Sequence, residues 1–330
     1  MYIPPFTISA HAINLIAEIS GQIERYAIRL EQSDAMKLRK ANRIRTIHSS
    51  LAIEGNTLSE DEVKDIIEGK TVIAPLRQIQ EVKNAIKTYE LYSSLNPFSV
   101  DDLLKAHGTM MMALTDDAGR FRRGGVGVFS EKGLVHMAPP ANRVPELIIN
   151  LFEWLKEAKD HLLIRSCVFH YEFEFIHPFS DGNGRTGRLW QSLILGKLHP
   201  LFEHLPVENM VYANQEAYYN AIQASTAAAN SGPFIDFMLQ EILNALKNHQ
   251  GSPLPQSEYS EVRDKVRDKF GINSGQIIEQ IRRNPNVTLD EIAATLSVTR
   301  RSIEKKIKEL RDAGYLKREG SNKSGRWVIL

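Results

Sequence analysis

His177, Asp181, Arg185 and Arg188 fall within one short stretch, HPFSDGNGRTGR, which also contains Gly182, Asn183 and Gly184. These residue types, in this order, suit phosphate chemistry. Glycines ahead of a helix let the main chain approach a ligand and bare its N–H groups, and the helix N-terminus adds partial positive charge. Arg185 and Arg188 are spaced to fall on one side of the first turn, which makes an anion site with room for more than one phosphate. No Gly-Lys-Ser/Thr follows, so this is not a Walker loop. Asp181 is a hard oxygen donor suited to Mg²⁺ bridging phosphates. His177, beside Pro178, is the type of residue that takes a proton when a hydroxyl attacks phosphorus. Phe179 is expected to bury its ring and pin the loop. Taken singly, each piece has an ordinary reading: His-Pro as a turn, Gly-Asn-Gly as a cap, two arginines as a solvated face. Their succession within one stretch turns the reading toward chemistry.

The elements that must position these residues are helical. The stretch runs directly into RTGRLWQSLILGKL, an amphipathic pattern. Upstream, apolar residues at Ile13, Ile16, Ala17, Ile23, Ala27 and Leu30 follow a helical period. Ile44, Ile47 and Leu51 mark a second helix ended by Gly55. Ser59 with Glu62 forms a capping box for a short third helix that Gly69 ends. Further helices are expected over Leu76–Ser93, Val100–Ala113, Val144–Ala158 and His161–Phe175. RRGGVGVFSEKGLVHMAPP alternates apolar and polar residues about a Ser130–Gly133 turn, which predicts a β-hairpin over an irregular loop. NHQGSPLPQSEYS reads as a linker.

HPFSDGNGRTGR matches the HxFx(D/E)GNGRxxR signature at every constrained position, and the chain resembles the Fic family there. The resemblance extends over roughly Asn96–Lys247 and, more weakly, the N-terminal segment. It implies a mainly α fold, a Fic helical core with a β-hairpin flap, and transfer of AMP from ATP to a Ser, Thr or Tyr hydroxyl of a protein, with release of pyrophosphate. ATP and Mg²⁺ are the implied cofactors. In that likeness His177 is the base and Asp181 the Mg²⁺ ligand. The main chain of Gly182, Asn183 and Gly184 is the anion hole, Arg185 and Arg188 hold the outer phosphates, and Thr186 and Gly187 complete the nucleotide-binding turn. GVGVFSEKGLVHMAPP is similar to the flap, with Val128 and Phe129 on the strand that a target segment would join. EAYYNAIQAS resembles the helix lining the adenine pocket, so Tyr218 and Tyr219 are candidates there, against a packed tyrosine pair in the core.

SSLAIEGN resembles the family's inhibitory helix, (S/T)xxxE(G/N), with Ser50 and Glu54. A Glu54 carboxylate on Arg188 would occupy the guanidinium that the ATP γ-phosphate needs. Autoinhibition is therefore expected, with removal of AMP from a modified protein an alternative use of the same glutamate. Self-modification and a homodimer are compatible with this reading.

From Ile272 the pattern changes to three helices and two strands, and resembles a winged helix-turn-helix. Twelve Lys/Arg face seven Asp/Glu over 272–330, in a chain of net charge +1. Thr299, Arg300, Arg301, Ser302 and Lys305 are the expected DNA contacts; protein contact or dimerisation is the other use of such a domain. The expected division is 1–95, an N-terminal helical segment with the inhibitory helix; 96–248, the catalytic core; 249–271, a linker; and 272–330, the winged helix. A DNA-binding regulator with a nucleotide-sensing Fic domain is the alternative function, although sensing would not require His177. The single cysteine, Cys167, excludes a disulfide framework and reads as a buried thiol over a nucleophile. MYIPPFTISA lacks a basic-then-apolar leader and no long apolar run occurs, so a cytoplasmic protein with no membrane partner is expected.

Overall fold

The computed structural model describes residues 2–30, 35–130, 133–203, 205, 207–248, 272–285, 287–296, 298–319 and 326–329. The expected linker, 249–271, lies outside the described residues. The chain divides into two compact units, Met1–Gly251 and Ser252–Leu330.

In the first unit, helices α1 (Ala10–Leu30), α2 (Ala35–Ala52), α3 (Glu60–Ile67), α4 (Leu76–Glu90) and α5 (Val100–Met110) precede a hairpin, β1 (Gly127–Ser130) and β2 (Gly133–Met137). Then follow α6 (Val144–Glu157), α7 (Leu162–Ile176), α8 (Asn183–Leu198), α9 (Val207–Ala213), α10 (Gln215–Ala228) and α11 (Gly232–Asn248). The centre is α7 packed along α8, with α6 and α11 against α7. Phe169, Phe173, Cys167, Trp190 and Ile194 are fully enclosed there. Because α7 is surrounded, LLIRSCVFHYEFEFI shows no polar face, and its polar members Ser166, His170, Glu172 and Glu174 are buried with the rest. Burial pushes the Cys167 thiol up to about 12, so it behaves as a small apolar residue.

α2, α3 and α4 share a small core of their own, made by Ile44, Ile47, Leu51, Leu58, Val63 and Val82. The Ser59–Glu62 capping box forms as expected, and Gly55 and Gly69 take the left-handed φ of +86° and +78° that ends each segment. The hairpin also forms, antiparallel, with a register shift between Val128 and Phe129. Two helices are shorter than their patterns suggest: the last turn after Glu90 tightens into a 3-10 turn at Tyr92–Ser94, and α5 stops at Met110.

α1 keeps part of the expected stripe inward, with Ile23 buried and Ile16 half-buried against the core, but its inner face is shifted. Ala12, Leu15, Ile19 and Ile23 are buried, whereas Ile13 is 59% exposed. Both stripes are apolar at helical spacing, and the packing of α1 on α11 selects between them. Ser9 sets the start of α1: its Oγ accepts from Ala12 N–H (2.9 Å) and donates to Asp236 Oδ1 on α11 (2.6 Å).

The second unit has α12 (Ile272–Arg283), α13 (Leu289–Thr295) and α14 (Arg300–Asp312), then strands β3 (Leu316–Glu319) and β4 (Arg326–Ile329) paired antiparallel. Thr288 and Glu291 form the expected capping box. Ile277, Ile281, Ile292, Ile303, Leu310 and Trp327 build the core, and Trp327 Nε1 donates to Val287 O (3.1 Å).

Ser9→Ala removes both the α1 cap and the bond to α11. It is expected to lower the unfolding free energy by about 1–2 kcal/mol, measured as a shift of the urea midpoint at unchanged slope.

Candidate active site

α7 ends at His177, which takes a left-handed conformation (φ 49°, ψ 63°) while its N–H still donates to Phe173 O (2.9 Å). Pro178 cannot continue the helix, so the chain leaves sideways with the imidazole at the helix end. For a residue with a Cβ this conformation costs about 1–2 kcal/mol, so the surrounding loop must hold it.

That loop is tightly fastened. Phe179 is fully buried and stacks on His107 with ring centroids 3.6 Å apart. The Asn183 side chain clamps the Phe179 backbone, accepting from its N–H and donating to its carbonyl at 2.9 Å each. Gly182 is left-handed (φ +84°) and begins α8, where a Cβ would strike Met111 Sδ at 2.7 Å. α8 has no side-chain cap at its N-terminus, so its first-turn N–H groups stand at the motif as an anion site. Thr186 Oγ1 turns back to donate to Gly182 O (2.8 Å), inside the protein.

The charged groups are paired in a definite way. Asp181 Oδ1 accepts from Gly182 N–H (2.6 Å) and from Arg185 (3.0 Å), and Oδ2 faces Arg77 of α4 (3.3 Å). Arg188 is 1% exposed, and its Nη2 donates to Glu54 Oε1 at 2.7 Å and to Ser50 O at 3.2 Å. Burial is the largest single influence and penalises the charge on Arg188, but Glu54, with smaller contributions from Tyr218 and Glu174, more than offsets this and holds the guanidinium above its usual range. Arg185 and Arg188 each keep a buried Nε without a partner among protein atoms. Both arginines therefore have a donor to spare.

The remaining expected site residues are placed as follows. Tyr218 is buried and its hydroxyl meets His170 Nε2 (3.0 Å), while Tyr219 is half-buried, edge-on to Tyr218. Val128 and Phe129 pair with His136 and Leu134 in the hairpin, and their side chains lie outside the described residues. A cavity of about 420 Å³ opens beside the hairpin base, lined by Phe121, Arg123, Gly125 and Ser180 among others. In the second unit, Thr299 caps α14 by accepting from Ser302 N–H. Arg300 pairs with Asp290 (2.7 Å) and Glu304 (3.0 Å), while Arg301 and Lys305 are exposed.

Residues outside the motif hold it in place, and the sequence reading did not single them out. Arg122 is 3% exposed and donates to the carbonyls of His177 (2.7 Å), Gly124 (2.8 Å), Pro139 (2.5 Å) and Ile176 (3.2 Å), tying the hairpin base to the catalytic loop. His107 bridges Asp181 O and Gly119 N–H. Asn56 donates to Glu81 Oε2 (2.8 Å), anchoring the Glu54 segment to α4. Arg122 and Gly119 stand in AGRFRRGG, a turn-like string whose only visible signal was its glycines.

Residues 97–195 match the Fic/DOC family, and residues 274–321 match an HTH domain. A solved Fic family protein from Desulfovibrio desulfuricans G20 is 38% identical, with a TM-score of 0.73 over 100% of this chain and 98% of that one. The chain belongs to the Fic family. It is also 30% identical over 251 residues, 67% of its length, to proteins named protein adenylyltransferase fic-1 from Caenorhabditis briggsae and Caenorhabditis elegans. It spans about half of those relatives, 46% of each. The solved Fic-1 of C. elegans shares the fold at 22% identity, with a TM-score of 0.58 over 73% of this chain and 72% of that one.

Burial holds His107 and His170 down at about 4. Gly119 N–H donates to His107 Nδ1, so the hydrogen of that ring sits on Nε2. Imidazole ¹⁵N spectra are expected to show both rings neutral down to about pH 5, His107 as the Nε2–H tautomer. The stability that their neutral forms confer is present above about pH 6.5 and drains away as pH falls toward 4.

Proposed function

We propose that this protein is an autoinhibited protein adenylyltransferase that transfers AMP from ATP to a Ser, Thr or Tyr hydroxyl of a protein, and releases pyrophosphate. The observation that carries the reading is the 2.7 Å contact of Glu54 with Arg188 beside the uncapped start of α8. The relatives named protein adenylyltransferase support the same chemistry.

In this reading the first-turn N–H groups of α8 and the arginines bind the phosphates of ATP. The target oxygen attacks the α-phosphorus, the bond to the pyrophosphate oxygen breaks, and the hydroxyl proton passes to His177. His177 Nδ1 contacts Glu174 O (3.3 Å), and a carbonyl only accepts. Nδ1 therefore carries the ring hydrogen and Nε2 is the proton acceptor. Phosphoryl chemistry of this kind depends on positioning and charge, which the fixed loop provides.

Asp181 fits a Mg²⁺ ion as a lone protein carboxylate. It is 42% exposed at the loop surface, and among the described residues no trio of His, Cys, Asp or Glu side chains converges as a cage. Mg²⁺ characteristically binds through one or two carboxylates together with substrate phosphates and water. Bound there, the ion would neutralise phosphate charge. Arg185 and Arg77, now on Asp181, are the partners it would meet.

Inhibition is competition for one guanidinium. A charge-assisted hydrogen bond contributes about 1.5–3 kcal/mol, so a γ-phosphate that must displace Glu54 loses roughly 10- to 150-fold. Glu54→Gly is expected to raise AMP transfer by about that factor, read as incorporation of α-labelled ATP and as intact mass. His177→Ala in the Glu54→Gly background is expected to abolish it. An unmodified chain already as active as Glu54→Gly would remove the inhibitory role. The flap and linker hydroxyls make self-modification the simplest readout. Release of AMP from a premodified protein, lost in Glu54→Gly, would instead assign the site to AMP removal.

For the second unit we infer DNA binding through α14, supported by its HTH match and the exposure of Arg301 and Lys305. Arg300 is occupied by Asp290 and Glu304 and contributes less. Replacing Arg301 and Lys305 by Ala in the full chain is expected to weaken duplex binding and to flatten its salt slope by about 1 per residue. Duplex affinity equal to wild type at every salt concentration would leave protein contact as the use of this unit.

A further inference from the structure

One buried carboxylate beside the base has no part in the chemistry above. Glu174 lies on α7 one turn before His177 and is 5% exposed. Its Oε1 has no hydrogen-bond partner and rests against Gly187, where an added Cβ would meet it at 2.8 Å. Its Oε2 is 3.7 Å from His177 Nδ1, the nitrogen that its own main-chain carbonyl faces at 3.3 Å. Enclosing a carboxylate with one oxygen unpaired is unfavourable, and an apolar side chain would fill this place in the core without that cost.

We propose that Glu174 is the positioning residue of the base: while its main-chain carbonyl takes the Nδ1 hydrogen, its carboxylate, 3.7 Å from Nδ1, is the counter-charge to the imidazolium formed when Nε2 takes the target proton. This rests on the reading of His177 as base. The proton goes from the target hydroxyl to Nε2, the target oxygen bonds to the α-phosphorus, and pyrophosphate leaves with its bonding pair. Glu174 exchanges no proton in the step and lowers the energy of the charge that appears on the ring.

The same carboxylate lies within the electrostatic reach of Arg188 on α8, Glu54 just after α2 and Tyr218 on α10, with His170 one turn behind it and His177 ahead on α7. Burial pushes its carboxyl up to about 7, Arg188 pulls it down and Glu54 pushes it up. When Glu54 leaves Arg188, the guanidinium acts on Glu174 without that opposition, and the carboxyl ionises at lower pH. An ionised Glu174 favours protonated His177. The inhibitory carboxylate thus acts on two groups: it occupies Arg188, and it weakens the counter-charge of the base.

The test combines imidazole ¹⁵N titration of His177 with steady-state kinetics on the full chain. In the Glu54→Gly background, Glu174→Gln is expected to lower the His177 midpoint by at least about half a pH unit. It is also expected to lower kcat by about 10- to 100-fold, with KM for ATP within about twofold and partial recovery of both in Glu174→Asp. A His177 midpoint unmoved by Glu174→Gln, or a raised KM at unchanged kcat, overturns the proposal. Should Glu174→Gln not fold, Glu174→Asp in the Glu54→Gly background decides it: withdrawing the carboxylate from Nδ1 is expected to lower the His177 midpoint, and an unmoved midpoint overturns it. Failure of the base reading shows elsewhere, as activity retained by Glu54→Gly/His177→Ala.

Discussion

A guanidinium enclosed as completely as that of Arg188 must have a counter-charge, and much of the geometry around the Fic motif follows from supplying one. An unpaired charge at such depth costs several kcal/mol. Three carboxylates lie in its field, Glu54, Glu174 and Glu208. Only Glu54 makes a hydrogen bond to it among the contacts described. Glu208 is committed elsewhere, accepting from Tyr89 at 2.5 Å and from Ser192 at 3.3 Å. A triphosphate entering the site brings its own negative charge, so it exchanges one counter-charge for another at the same guanidinium. In the proposed reading, a single glutamate would oppose nucleotide binding in this way without blocking the whole cavity.

The loop that carries His177 illustrates how a conformation of high energy is held by many small contacts. His177 is left-handed, and each neighbouring residue is fixed by something remote. Arg122 bonds the carbonyls on both sides of the α7 terminus, Asn183 closes on Phe179, and His107 supports Phe179 by stacking while bonding the Asp181 carbonyl. The preorganisation that the proposed phosphoryl transfer would require thus comes from α5, the hairpin base and α8 together. A neutral His107 suits this task, because one ring nitrogen accepts from Gly119 while the other donates to Asp181.

What the sequence disclosed follows the distance over which each function is built. The motif was legible because its chemistry lies in consecutive main-chain groups and in arginines one helical turn apart. Glu54 was legible only through resemblance to a family, since a glutamate before a glycine at a helix end is otherwise commonplace. Arg122, His107 and Arg77 act through partners tens of residues away, and nothing in their local strings marks them. Glu174 was hidden for another reason. α7 is enclosed on all sides, so its pattern has no solvent face against which a buried acid would stand out. The inward face of α1 was legible only in part, because two apolar stripes overlap at Ile23 and the packing on α11 decides between them.

The glycines of GNGRTGR then acquire a second physical explanation beyond the main-chain approach to phosphates. A Cβ at Gly184 would meet Glu54 Oε1 at 2.7 Å, and one at Gly187 would meet Glu174 Oε1 at 2.8 Å. Both residues lie on α8 with helical φ, so conformational freedom is not what requires glycine at either place. Space does. The two gaps, one turn apart on the helix that carries Arg188, admit the two carboxylates that act on it, one from α2 and one from α7. The surface of α8 is therefore shaped for acidic oxygens along its first turns. The phosphates of a nucleotide present the same kind of atom, so in the proposed reading the shape that would receive the substrate also admits the side chain that would compete with it.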